Sequence, residues 1–209
     1  MEKNFWLNKW IDNQIGFHRD EYNPNLIKFW SPFTKESKGT VFVPLCGKSR
    51  DMIFFKNCGH KVYGVELSRI AVENFYAENK IPYKKDANLY YTSDFFLYCD
   101  DLFALKKEHF RDVEFIYDRA SIVALPEDLR LKYVKWMQEI FPQASMFIET
   151  FDFGNTEVGP PFSVTEKMIH DYYSHSYDIR LIQTEQLHAG VHEDKVNSYK
   201  ALTFVLSPK

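Results

Sequence analysis

Cysteine is scarce in this sequence, which contains only Cys46, Cys58 and Cys99 among its 209 residues. An odd number of cysteines argues against a framework of disulfide bonds, and the lack of a C-x-x-C pair argues against a zinc site. Both features are typical of a protein that works in a reducing compartment. We therefore expect a cytoplasmic protein that folds around an apolar core.

Clustered metal ligands are also hard to find. His188 and His192 are four residues apart, as two ligands on one helix would be. Gly190 lies between them and the surrounding residues favour strands, so a helix is doubtful here. We predict no metal site.

Long apolar runs and basic runs are missing as well. No segment offers 18 uninterrupted apolar residues, and the opening MEKNFWLNKW carries charges where a signal peptide needs an apolar stretch. The net charge is −3, and no run of Lys or Arg is long enough to follow a phosphate backbone. These absences exclude membrane and nucleic-acid partners and leave a soluble protein, which we expect to be a monomer acting on a small molecule.

Aromatic residues are abundant, with 19 Phe, 13 Tyr and 4 Trp. Such a composition suits a packed α/β core and a site for flat ligands. The length fits one domain over residues 1–209, within which residues 1–38 form an N-terminal helical segment.

Strand and helix patterns alternate through the middle of the chain. Helices are predicted at 4–14 and 24–33, from a Ser49 cap to Asn57, from a Ser68 cap to Glu78, from Pro126 to Phe141, and from a capping box at Ser163 to Ser174. Strands are predicted at 40–45, 61–66, 95–99, 114–118, 145–151, 177–187 and 195–206, with a hairpin turn within 87–103. The alternation predicts a Rossmann-like α/β fold: a mostly parallel, seven-stranded sheet with helices on both faces and an antiparallel edge hairpin.

The stretch VFVPLCGKSRDM, residues 41–52, looks at first like a phosphate-binding loop. A G-x-x-x-x-G-K-S loop needs its first glycine where this chain has Phe42. Pro44 also lies where backbone N–H donors should gather, and proline has none. A nucleoside-triphosphate site is therefore the less favoured interpretation, kept as an alternative of another class.

Glu66 lies 19 residues beyond Gly47, at the end of the second predicted strand. In doubly wound sheets an acid at about this distance accepts hydrogen bonds from ribose hydroxyls. The G-x-G-x-x-G loop for a pyrophosphate is absent, so the ligand should contain a ribose without a diphosphate, as S-adenosylmethionine does. From spacing alone, a solvated acid at a strand end is an equally good interpretation of Glu66.

Five motifs together resemble the thiopurine S-methyltransferase family, in particular its bacterial members. They span nearly the whole chain: FWLNKWIDNQIGFH (5–18), VFVPLCGKSRDM (41–52), GHKVYGVELS (59–68), IYDRASIVALP (116–126) and GPPFSV (159–164). The resemblance implies a class I methyltransferase that uses S-adenosylmethionine and releases S-adenosylhomocysteine.

On the cofactor side, the resemblance implies that Trp6, Trp10 and the loop to Phe17 close over the cofactor as a lid. It also implies that Leu45 lies beside the cofactor and that Glu66 holds its ribose. Packing in the core is the plainer interpretation of the two tryptophans, and it is compatible with a lid.

The resemblance further implies that Asp101 and Leu102 lie along the adenine. The sequence departs from the bacterial pattern at Asp100, where glycine is common. The similar SDFF at 93–96 would leave too little strand before the loop.

On the acceptor side, Arg119 matches an arginine near both cofactor and acceptor, and Pro161 belongs to a wall of the acceptor pocket. Arg119 could stabilise an anionic acceptor and Phe17 could stack on a flat one. The plainer interpretation of Asp118-Arg119 is a turn with an exposed ion pair.

These observations predict an S-methyltransferase for aromatic or heterocyclic thiols such as thiopurines. Methyl transfer from a sulfonium to a thiolate disperses charge, so catalysis rests on alignment and on exclusion of water. A related methyltransferase for halide, hydrosulfide, selenium or tellurium species is the nearest alternative.

Overall fold

A computed structural model describes residues 3–154, 157–188 and 195–209 of the chain. His192 and Gly190, considered above for a metal site, lie outside these residues. The chain divides into two compact units, Met1–Phe115 and Ile116–Lys209, each of which is described by itself. Organisation as a single domain stays a prediction.

The first unit contains five strands in the order β3-β4-β5-β2-β1. Their bounds are β1 (Thr40–Val43), β2 (Lys61–Glu66), β3 (Lys84–Asp86), β4 (Leu89–Tyr91) and β5 (Phe95–Cys99). Strands β1, β2 and β5 are parallel, whereas β3, β4 and β5 pair antiparallel. All four residues of β1 are buried, as expected for a parallel strand covered on both faces.

Four helices accompany these strands: α1 (Lys3–Ile11), α2 (Pro24–Thr34), α3 (Asp51–Asn57) and α4 (Arg69–Glu78). Helix α4 begins as predicted, because the Ser68 hydroxyl accepts from the N–H of Ala71. Helix α3 begins at Asp51, two residues after the predicted cap, and Ser49 Oγ accepts from the N–H of Asp51.

An aromatic cluster fills the core beneath α2. Trp30 packs against Phe55 at 4.6 Å between ring centroids and donates a 3.0 Å hydrogen bond from Nε1 to Nε2 of His60. The His60 ring in turn lies edge-on to Phe115. Burial lowers the pKa of His60, so the ring is neutral and can accept this bond.

Strand β6 (Val113–Arg119) leads the chain from the first unit into the second. The second unit continues with α5 (Glu127–Ile140), β7 (Ser145–Asp152), α6 (Glu166–Tyr173), β8 (Tyr177–Leu187) and β9 (Tyr199–Pro208). Strand β9 pairs antiparallel with both β7 and β8, so β8 and β9 form the predicted antiparallel hairpin.

The start of α6 differs from the prediction. Its cap is Thr165, whose hydroxyl accepts from the N–H of Met168. Ser163, the predicted cap, accepts instead from the N–H of Phe153. Both Ser163 and Thr165 carry a hydroxyl that could cap this helix. Because Ser163 bonds to the distant backbone of Phe153, Thr165 is the cap.

The predicted α/β class with a mostly parallel central sheet is confirmed, but the predicted strand number is wrong. The described residues form nine strands rather than seven, the additional two being β3 and β4. Each has only three residues, and β3 is a fully exposed Lys84-Lys85-Asp86 run that shows no apolar alternation. Within the described ranges no helix is long and apolar enough to span a bilayer.

Candidate active site

The turn after β1 has an unusual backbone. Leu45 and Gly47 have positive φ angles of 44° and 53°, and the N–H of Cys46 donates to the carbonyl of Val65 at 2.9 Å. A leucine in the left-handed region is strained, and such strain concentrates at functional sites. The turn thus presents the backbone of Gly47 at the carboxyl end of the parallel strands.

Glu66 ends β2 and is buried, with 6% of its surface exposed. Its Oε2 accepts from the N–H of Gly47 at 2.9 Å and its Oε1 accepts from the N–H of Ser68 at 2.7 Å. Burial raises the pKa of Glu66 to about 7, while these N–H donors pull it back toward its usual value. The solvated-acid interpretation is therefore wrong, since the carboxyl bridges the turn after β1 and the start of α4.

Lys48, which made the sequence resemble a phosphate loop, has a different partner. Its ammonium lies 2.7 Å from Oε1 of Glu78, at the last residue of α4, and its side chain is largely buried. The lysine is thus neutralised by a carboxylate rather than directed at the turn. This contact disfavours the nucleoside-triphosphate alternative.

The loop after β5 lies beside the loop after β2, because the N–H of Asp100 donates to the Glu66 carbonyl at 3.1 Å. Asp101 caps a short 3₁₀ turn, Leu102–Ala104, by accepting from the N–H of Phe103. Leu102 is buried beneath it. Asp100, the departure from the bacterial pattern, accepts from the N–H of Asp101 and from the side chain of Asn88, so it stabilises this loop.

Helix α1 contacts two of these loops. The Lys3 ammonium lies 2.6 Å from Oδ2 of Asp101. At the other end of the helix, Trp10 is buried against the turn after β1, where a Cβ added to Gly47 would lie 3.1 Å from its Cζ2 atom. Phe17 packs edge-on against both Trp6 and Trp10, each at 5.6 Å between centroids.

Arg119 and Pro161 belong to the second unit. Arg119 is the last residue of β6 and half-buried, and its guanidinium forms no hydrogen bond or ion pair with any described residue. Pro161 is half-buried in a loop in which Gly159 has no room for a side chain, because the Phe162 ring occupies the place of a Cβ.

Asp118 points inward rather than into an exposed turn. Its Oδ2 accepts from the Tyr133 hydroxyl at 2.7 Å, and its Oδ1 accepts from the N–H of Ile122 at 3.0 Å. Burial raises the pKa of Asp118 to about 6. The plainer interpretation, an exposed Asp118-Arg119 ion pair, therefore does not apply, and Asp118 instead stabilises the turn that follows Arg119.

Lys3 and Tyr133 escaped sequence reasoning, as did Arg130, a charged residue buried in α5. The last two lie on one buried stripe of α5 with Met137, spaced by three and four residues. That spacing could have indicated that a charged residue is buried there. Over the described ranges, no group of three His, Cys, Asp or Glu side chains is arranged to hold a metal ion.

Solved structures similar to this chain include methyltransferases. One is magnesium protoporphyrin IX methyltransferase from Synechocystis, determined with bound SAH, with a TM-score of 0.65 at 10% identity over 98% of this chain and 97% of that one. Another is 1,6-didemethyltoxoflavin-N1-methyltransferase from Burkholderia thailandensis, with a TM-score of 0.64 at 11% identity over 99% and 87%. At such identities the similarity concerns the fold alone.

Sequence relatives are much closer. A Shewanella woodyi protein named thiopurine S-methyltransferase is 40% identical over 90% of this chain and 88% of its own length. A protein of the same name from another Shewanella strain is 37% identical over the same shares. The profile of the thiopurine S-methyltransferase family matches residues 1–204. This chain therefore belongs to the thiopurine S-methyltransferase family.

Proposed function

We propose that this protein transfers a methyl group from S-adenosylmethionine to the sulfur of an aromatic or heterocyclic thiol, thiopurines being the class named by its relatives. One observation carries the proposal: in a chain of this family, the buried carboxyl at the end of β2 accepts from the N–H of Ser68 and from that of Gly47, which lies against the indole of Trp10. An acid in this place of a parallel sheet is suited to the ribose of a nucleoside.

The residues present fit S-adenosylmethionine. Each Glu66 oxygen uses one lone pair on a backbone N–H and keeps another for a ribose hydroxyl. Gly47 has no side chain to fill the space between the turn and the Trp10 ring. In our proposal Glu66 holds the ribose, Asp101 and Leu102 adjoin the adenine, and Leu45 lies beside the cofactor.

Helix α1 supplies the proposed lid. Its contacts with Asp101 and Gly47 are made by Lys3 and Trp10, so the helix is tied to the loops after both β5 and β1. Trp6 and Trp10 would exclude water from the cofactor, and an indole face is also a favourable neighbour for a cation.

When bound, the cofactor supplies an electrophilic methyl group on a positively charged sulfur. The protein has to hold an acceptor thiolate in line and exclude water, because the transition state disperses charge rather than creating it. In our proposal Arg119 stabilises the anionic acceptor with its uncommitted guanidinium, Phe17 stacks on a flat ring and Pro161 forms a wall. Cys46 is no candidate for a covalent step, since burial raises the pKa of its thiol well above the usual range.

A screen with methyl-labelled S-adenosylmethionine tests the proposal. The acceptors are thiopurines, small thiols, iodide, hydrosulfide, and selenium and tellurium species. We expect labelled product from aromatic or heterocyclic thiols. Labelling of only the small inorganic acceptors would favour the alternative drawn from the sequence.

A second experiment tests the identity of the cofactor independently of the acceptor. Calorimetric titration should show micromolar binding of S-adenosylhomocysteine and no response to ATP with magnesium. The opposite result would contradict the cofactor assignment. We further propose that the protein acts in the cytoplasm, which is supported by its low cysteine content, and that it acts as a monomer.

A further inference from the structure

Arg130 is a buried cation in the second unit. It lies in the first turns of α5 with only 3% of its surface exposed. Arginine is almost never buried to this degree unless it is paired. The start of a helix is also the end at which a positive charge is least favourable. A residue in this place therefore needs a reason other than general stability.

The partners of Arg130 are two backbone carbonyls. Its Nη2 donates to the Leu125 carbonyl at 3.0 Å, and its Nη1 donates to the Ser163 carbonyl at 3.4 Å. Within the described residues Nε has no partner, and no carboxylate forms an ion pair with the guanidinium. Since buried ions are normally compensated by an opposite charge, the stability of the unit alone does not explain this arginine.

The two carbonyls belong to the two loops that carry the proposed acceptor residues. Residues 119–125 begin with Arg119, and residues 157–163 include Pro161; together they are called the acceptor loops below. A second bond joins them, since the N–H of Phe162 donates to the Val123 carbonyl at 2.6 Å. The Arg130 guanidinium also lies 6.0 Å from the centroid of the Phe162 ring. A rigid fork of donors is suited to hold two carbonyls at a set separation.

We propose that Arg130 is a positioning residue for the acceptor: it holds the acceptor loops at the separation that a flat, rigid thiol requires. The inference rests on the proposed function and deepens it, because it identifies a determinant of acceptor selectivity outside the residues expected to touch the acceptor. Cofactor affinity should not depend on Arg130, since the proposed ribose and adenine contacts belong to the first unit.

Arg130→Lys and Arg130→Met test the proposal, with Lys135→Met as a control that removes a charge from the exposed face of the same helix. For each variant we would measure kcat and KM for a bicyclic thiopurine and for a small aliphatic thiol, and the Kd of S-adenosylhomocysteine. A lysine can keep one of the two carbonyl contacts. Loss of the other charge-assisted bond should raise the thiopurine KM about tenfold in Arg130→Lys.

In the same variant, preference for the thiopurine over the small thiol should fall by a similar factor, while the Kd of S-adenosylhomocysteine stays within twofold of wild type. Lys135→Met should match wild type throughout. A purely structural role predicts a different result, namely an equal loss of kcat for both acceptors at unchanged KM, and that result would overturn the proposal. Unchanged selectivity in Arg130→Lys would also overturn the proposal. This variant is a sufficient test if Arg130→Met does not fold.

Failure of the proposed function is recognised separately. If wild type methylates neither thiol although it binds S-adenosylhomocysteine, both the thiol assignment and the role of Arg130 are overturned. If wild type methylates the thiopurine and Arg130→Lys retains its selectivity, only the role of Arg130 is overturned.

Discussion

Replacement of Glu66 by glutamine should weaken cofactor binding by one to two orders of magnitude. The carboxylate accepts from two backbone N–H groups and, in our proposal, from the ribose hydroxyls. Hydrogen bonds to a charged group contribute about 1.5–3 kcal/mol each, so loss of one such contribution corresponds to about 10–100-fold in Kd. The assay is calorimetric titration of the variant with S-adenosylhomocysteine.

The same substitution should also destabilise the free protein. A glutamine has one acceptor oxygen, so its NH₂ group must face the N–H of either Gly47 or Ser68. A buried donor left without an acceptor costs about 1–3 kcal/mol, which chemical denaturation would measure. Glu78→Gln makes the same chemical change at the Lys48 ion pair and should leave the Kd of S-adenosylhomocysteine unchanged.

Binding should depend on pH through Glu66. Burial raises its pKa to about 7, and ribose hydroxyls would favour the ionised form and lower the pKa in the complex. A group whose pKa falls on binding releases a proton, so affinity should decrease as the pH falls below about 7 in wild type and not in Glu66→Gln. The reasoning is refuted if folded Glu66→Gln binds S-adenosylhomocysteine within twofold of wild type.

Three further predictions concern other parts of the first unit. Gly47→Ala should cost about 1–2 kcal/mol of backbone strain and should weaken cofactor binding, because the added Cβ would displace Trp10. Gly154 also has a positive φ but lies in open space, so Gly154→Ala should lower stability alone. Denaturation would measure the stability of both variants, and titration would measure their cofactor binding. Phe17→Ala should impair methylation of a thiopurine and spare iodide or hydrosulfide in parallel assays; equal loss for every acceptor would count against stacking. The buried, neutral ring of His60 has a lowered pKa, so the unfolded state takes up a proton more readily than the folded state. The free energy of unfolding should therefore decrease as the pH falls below about 6.5. Plotted against pH from 5 to 8, the melting temperatures of wild type and His60→Gln should converge or cross if this is right, and should run parallel if it is wrong.

The central strands and the position of Glu66 were predictable from the sequence because they depend on local features. Buried parallel strands appear as short apolar runs, and the Ser68 cap and the spacing from Gly47 to Glu66 need no knowledge of distant residues. The same reasoning disfavoured a phosphate loop, and the Lys48–Glu78 ion pair agrees with that assessment.

What the sequence did not reveal depends on contacts between distant residues. Glu66 was equally compatible with a solvated acid until its two backbone donors were known. The fork of Arg130 and the ion pair of Lys3 with Asp101 join residues 33 and 98 positions apart. Strands β3 and β4 are too short to show a period, so they are defined only by the pairing of β3 with β4 and of β4 with β5.

The central claim is sulfur methylation from S-adenosylmethionine, and the measurement that tests it most directly is mass spectrometry of a thiopurine incubated with wild-type protein and methyl-labelled S-adenosylmethionine. Our account predicts a product that carries one labelled methyl group on sulfur, and a marked loss of that product with Glu66→Gln. An unmodified thiopurine in the presence of a protein that binds S-adenosylhomocysteine, or a label on nitrogen instead of sulfur, would contradict it.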